Sequence, residues 1–91
     1  MTGVPADRSI RTPADLASLI REIKAAVAAG ILEQVRPDSS PFATDAEIAD
    51  LAEQGPWPDY IEMRFRVRGT ATRYKLSAET YHGAGGTWAP E

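Results

Sequence analysis

The sequence contains no cysteine and a single histidine among its 91 residues. Without cysteine the chain has no disulfide framework, no thiolate ligand for a metal ion and no cysteine nucleophile. Long apolar runs are also missing: the longest, Ala25 to Ala29, is far short of the roughly 20 residues that cross a bilayer. The first residues lack the apolar segment of a signal peptide. These absences predict a soluble cytoplasmic protein with no membrane association, no metal site and no cofactor.

The remaining composition is that of an ordinary globular chain, with 43% hydrophobic and 25% charged residues. The formal net charge of -3 argues against a dedicated nucleic-acid-binding domain, because such domains are usually strongly basic. The length suits one domain. Residues 1–11 show no periodicity, so we expect a disordered N-terminal tail, followed by a single α+β domain over residues 12–91.

A long amphipathic helix is predicted from residue 13 to about residue 29. Thr12 is an N-cap residue, Pro13 suits the first helical position, and Asp15 stands where a capping box usually has Glu or Gln. Behind this cap, apolar residues recur at helical spacing on one face; they are Leu16, Leu19, Ile20, Ile23 and Val27. Gly30 favours an end to the helix and a short strand over residues 31–36. A helix that continues to Pro37 is the alternative.

A second, short helix is predicted after the loop at residues 37–41. Thr44 and Glu47 form a capping box, which is a specific signal for the start of a helix. Gly55 and Pro56 end the helix.

A β-hairpin is the clearest pattern in the chain. From Tyr60 apolar and polar residues alternate, as they do in a strand with one buried face. A two-residue turn at Gly69–Thr70 places Phe65 opposite Tyr74, and every apolar side chain then lies on one face. We expect a small α+β domain in which the long helix packs on this hairpin or on a meander of two to four antiparallel strands, with the short helix at one end.

The polar face of the hairpin carries half of the basic residues, namely Arg64, Arg66, Arg68, Arg73 and Lys75. Residues 60–82 have a net charge of +3, whereas residues 37–59 have -6 and no cation. The ordinary interpretation is a solvated face, or one that the acidic segment neutralises internally. An acidic protein partner, or self-association, is the functional interpretation, because a positive patch steers association. Nucleic acid is a further alternative, opposed by the acidic remainder of the chain.

Trp57 stands between two prolines and is a candidate apolar anchor for a partner, since tryptophan is typical of interface hot spots. The alternative is that Trp57 closes one end of the core. His82 lacks a well-placed carboxylate partner, because Glu79, three residues earlier on a strand, faces the opposite way. The glycines at residues 83–86 lack the Gly-Lys-Ser/Thr sequence of a phosphate loop.

The sequence therefore predicts a non-catalytic protein-interaction module that binds through the basic hairpin face, with no catalytic residues. The alternatives are a nucleic-acid-binding accessory protein and a small inhibitor or immunity-type protein.

Overall fold

One helix packs on one face of a five-stranded antiparallel sheet in the computed structural model, which describes residues 3–35, 47–80 and 85–91. In chain order the elements are β1 (Arg8–Ile10), α1 (Pro13–Ala28), β2 (Leu32–Val35), a 3-10 turn (Ile48–Asp50), β3 (Tyr60–Val67), β4 (Arg73–Glu79) and β5 (Gly85–Pro90). The strands are arranged in the order β1-β5-β4-β3-β2. The predicted α+β class is confirmed, but the predicted number of two to four strands is wrong.

Helix α1 begins and ends where its sequence signals predicted. The amide of Asp15 donates to Thr12 Oγ1 at 3.1 Å, and the amide of Thr12 donates to Asp15 Oδ2 at 3.2 Å, so aspartate completes the capping box. At the other end Gly30 adopts a φ of +77°. The amide of Ile31 then reaches the carbonyl of Ala26 at 2.9 Å, which is the Schellman arrangement. The break at Gly30 is therefore confirmed, and a short strand, β2, follows it.

The core lies between α1 and the face of the sheet that it covers, which we call the inner face. The helix contributes Leu16, Leu19, Ile20, Ile23 and Ala26, and the sheet contributes Ile61, Met63, Phe65, Leu76, Ala78 and Trp88. Each large apolar side chain buried in this way contributes about 1.5–3 kcal/mol of transfer free energy. Because the chain has no covalent cross-link, this single interface has to supply most of the stability.

The register of the β3–β4 hairpin is the predicted one. Phe65 lies opposite Tyr74, and Met63 lies opposite Leu76. The turn is longer than predicted, because Val67 and Thr72 close a four-residue loop through a 2.9 Å hydrogen bond from the amide of Val67. The observed loop has one more residue on each side than the predicted loop, which leaves the strand register unchanged. The apolar side chains of β3 and β4 therefore share one face, as predicted.

The N-terminal tail prediction fails for Arg8–Ile10, which form an edge strand beside β5. Ile10 is buried, and the carbonyl of Pro5 accepts a 2.9 Å hydrogen bond from the buried indole of Trp88. Arg8 donates to both carboxylate oxygens of Glu22 on α1, at 2.7 and 2.9 Å. A three-residue strand is too short to show a period, so tertiary contacts rather than local pattern specify it.

The predicted second helix is wrong in extent: the described residues form only a 3-10 turn, Ile48–Asp50. The amide of Ile48 donates to the Gln34 side chain on β2 at 2.7 Å. Leu51 already has an extended conformation, with φ -82° and ψ 123°. Ile48 and Leu51 are both buried, so one turn is enough to place both apolar side chains in the core. Thr44, the other half of the predicted capping box, lies outside the described residues.

Gly86 occupies a position where no side chain fits. A Cβ atom there would lie 1.9 Å from the carbonyl oxygen of Ser77 and 2.7 Å from the Cα of Ala78, both backbone atoms of β4. We expect Gly86→Ala to lower the free energy of unfolding by about 3 kcal/mol and the melting temperature by roughly 12–24 °C. Gly85→Ala is the matched control, because its Cβ meets no atom within 4 Å. Equal melting temperatures for the two variants would contradict this assignment.

The ion pair between Arg8 and Glu22 predicts acid sensitivity. The hydrogen bond from Arg8 holds the pKa of Glu22 below its ordinary value. A carboxyl group with a lowered folded-state pKa contributes stability above its unfolded-state pKa of about 4.3, and that contribution disappears as the pH falls through the folded-state value. Both side chains are partly exposed, so we expect at most about 1 kcal/mol. The melting temperature of Glu22→Gln should lie below that of the wild type at neutral pH and match it in strong acid. A difference that persists in strong acid would exclude the ion pair as its cause.

Candidate binding surface

The side chains of β3 and β4 that alternate with the core residues point to the face of the sheet opposite α1, which we call the outer face. In the observed register Arg64 lies opposite Lys75, and Arg66 lies opposite Arg73, as the sequence predicted. Like charges placed directly opposite one another destabilise a sheet. The outer face therefore requires anions close to these cations.

Glu62 supplies the first of these anions. Its carboxylate accepts a hydrogen bond from Arg64 Nη1 at 2.9 Å and lies 3.8 Å from Lys75 Nζ. Although Glu62 is on the outer face, only 5% of the residue is exposed. A nearly buried carboxylate is stable only when it is paired. Glu62 meets this requirement because it contacts both Arg64 and Lys75, and its negative charge offsets the repulsion between them.

Arg64 is bound from two sides. Besides the contact with Glu62, its Nε lies 3.2 Å from a carboxylate oxygen of Glu91, which follows β5. The hydrogen bond with Glu62, assisted by Glu91, raises the pKa of Arg64 above its ordinary value against the opposing effect of burial. Only 18% of the Arg64 side chain is exposed. Arg64 is consequently held by two carboxylates of the outer face.

The next row along the strands contains Arg66 and Arg73, flanked by one glutamate on each side. Glu33 on β2 pairs with Arg66, whose side chain is 46% exposed. The amide of Glu91 donates to the carbonyl of Arg73 at 2.9 Å, which places Glu91 beside Arg73. The carboxylate of Glu91 nevertheless binds Arg64 in the neighbouring row.

Arg68 and Arg73 are the most available cations on the hairpin. Both residues are exposed, and neither forms an ion pair within residues 3–35, 47–80 and 85–91. With the half-exposed Arg66 they form a group beside the β3–β4 turn, which we call the basic end. The described ion pairs of the hairpin involve Glu33, Glu62 and Glu91, and none involves the acidic residues between 47 and 59.

Trp57 is not brought close to the basic end. It precedes β3, whose eight residues extend roughly 23 Å towards the turn. Its side chain is half-buried and packs against the core, and its Nε1 donates to the carbonyl of Ala52 at 2.7 Å. These contacts fit the alternative in which Trp57 closes one end of the core.

No group of three or more potential metal ligands converges in the part of the chain that the structure describes. His82 lies outside the described residues, as do Gly83 and Ala84 of the loop at residues 83–86. None of the described helices has the length and apolar character needed to cross a membrane.

None of the three glutamates of the outer face was among the binding residues predicted from the sequence. Glu62 shares a face with Arg64 because the two residues are separated by one position on a strand. The alternation of polar and apolar residues was therefore enough to predict a contact between Glu62 and Arg64. Glu33 and Glu91 become neighbours of the hairpin only through the pairing of β2 and β5, which the hairpin sequence does not specify.

Glu62 should therefore matter more for stability than an exposed glutamate on the same face. We expect Glu62→Gln to lower the free energy of unfolding by about 1–3 kcal/mol, because it removes charged hydrogen bonds from a nearly buried site. Glu33→Gln is the control: its pair with Arg66 is solvated and contributes about 0–1 kcal/mol. Urea denaturation of both variants measures the difference. Equal effects would show that the burial of Glu62 has no energetic consequence.

Comparisons with protein-family models, with curated proteins and with solved structures found no match for this chain.

Proposed function

We propose that this protein is a non-catalytic interaction module that binds an acidic protein segment through the basic end. One observation supports the proposal most directly: Arg68 and Arg73 are exposed beside the hairpin turn and form no ion pair within the described residues. Guanidinium groups bind carboxylates in a defined planar geometry, and a hairpin in a five-stranded sheet holds them on a firm scaffold.

The partner is expected to be acidic because the neighbouring cations already bind carboxylates. Arg64, Arg66 and Lys75 pair with glutamates of the same face. Arg68 and Arg73 of the basic end have the same chemistry but form no ion pair in the described residues. Exposed charges of this kind raise the association rate and select the partner more than they increase affinity. Complex formation should consequently weaken steeply as salt is added.

Nucleic acid fits the surface less well. Glu33, Glu62 and Glu91 lie on the same face as the cations, and the chain as a whole has a net charge of -3. A phosphate backbone would meet these carboxylates along with the arginines, whereas a protein segment can place its few acidic residues beside the basic end alone.

Self-association is a variant of the same proposal in which the acidic residues of a second copy supply the carboxylates. The described part of the acidic segment contains Glu47, Asp50, Glu53 and Asp59. Sedimentation of the protein over a range of concentrations detects this variant. A monomer at all concentrations excludes it and leaves a different acidic protein as the partner.

Binding of a fluorescently labelled peptide of alternating glutamate and serine tests the proposal. We expect Arg73→Glu to weaken peptide binding about tenfold or more, which corresponds to roughly 1.4 kcal/mol. Arg21→Glu is the matched control, because it changes the net charge equally at an exposed position on α1. The melting temperature should change little in both variants, since both residues are exposed.

Several outcomes separate the alternatives. Equal weakening by the two variants would indicate a general charge effect and contradict a site at the basic end. No peptide binding, together with an oligonucleotide complex that dissociates between about 50 and 200 mM salt, would favour nucleic acid instead.

A further inference from the structure

Glu91 places a carboxylate on the surface that the proposed partner would use. Its backbone amide binds the carbonyl of Arg73 at 2.9 Å, and its side chain binds Arg64 Nε at 3.2 Å. Through this residue, which follows β5, an acidic group reaches both strands of the hairpin.

The two carboxylates that bind Arg64 differ in how easily they can leave it. The Glu62 side chain is 6% exposed and also contacts Lys75. Moving it away from Arg64 would therefore leave a buried carboxylate without this partner. The Glu91 side chain is 33% exposed and contacts Arg64 alone among the described cations. An incoming carboxylate can therefore replace Glu91 at Arg64, whereas replacement of Glu62 would disrupt the face.

We propose that Glu91 acts as an internal competitor, which occupies Arg64 until a carboxylate of the acidic partner replaces it. This inference rests on the proposed function. Arg64 and Arg66 are separated by one residue on β3, so their rows lie roughly 6.6 Å apart. The same distance separates alternate side chains of an extended peptide. The partner is accordingly an extended segment with acidic residues at alternate positions, one at Arg64 and the next at the Arg66–Arg73 row.

Removal of the competitor should strengthen binding of the labelled glutamate–serine peptide. We expect Glu91→Gln to bind the peptide about threefold more tightly than the wild type, a change that suits one solvated ion pair. Glu47→Gln removes the same charge from an exposed position of the acidic segment, and its affinity should equal that of the wild type. In an Arg64→Gln background, shown to be folded by its melting curve, Glu91→Gln should give no gain.

A second measurement follows the displacement itself. The carboxyl carbon signal of Glu91, observed by NMR, should shift during titration with the peptide, and the Nε–H of Arg64 should retain a bonded partner throughout. A Glu91 signal that does not move while the peptide binds would overturn the inference.

The outcomes distinguish the inference from the function on which it rests. If Glu91→Gln leaves the affinity unchanged while Arg73→Glu still weakens it, competition is wrong and the proposed function stands. If neither the wild type nor Glu91→Gln binds the peptide, both are wrong. Binding by Glu91→Gln alone would support competition strong enough to mask the site.

Discussion

The indole of Trp88 is completely buried and joins parts of the chain that are distant in sequence. It stacks on Tyr74 of β4 with ring centroids 5.0 Å apart, and it meets Phe65 of β3 edge-on at 5.7 Å. Its Nε1 also donates to the carbonyl of Pro5, 83 residues earlier in the chain. A large aromatic group can do this because it combines extensive apolar area with one polar atom that needs a partner. Trp88 thereby links β5 to the hairpin and to the segment that precedes β1.

The charges of the outer face follow from the way in which this core is built. Because α1 covers only the inner face, the alternate residues of β3 and β4 remain on the other side. The sequence places cations opposite one another there, at a cost in stability. Glu62 on β3, Glu33 on β2 and Glu91 after β5 offset that cost at Arg64, Arg66 and Lys75.

Local sequence predicted the parts of the fold that local physics determines. The cap at Thr12, the end of α1 at Gly30 and the register of the hairpin all depend on residues close together in the chain, or on a two-residue period sustained over many positions. Strand β1 depends instead on the bond between Trp88 and Pro5 and on the Arg8–Glu22 pair, neither of which a three-residue stretch can reveal. Five strands rather than two to four are the consequence.

The candidate site was predictable as a set of residues but not in their separate roles. All five cations look alike in the alternating pattern, yet they differ in their distance from the turn and in the glutamates that bind them. Arg64, in the interior of the sheet, is 18% exposed and held by two glutamates; Arg66, one row nearer the turn, is 46% exposed and held by one. Arg68, in the turn itself, is exposed without an ion pair in the described residues. Position along the hairpin, together with the glutamates on and after the neighbouring strands, therefore divides the cations into those held by carboxylates and those that form no ion pair in the described residues.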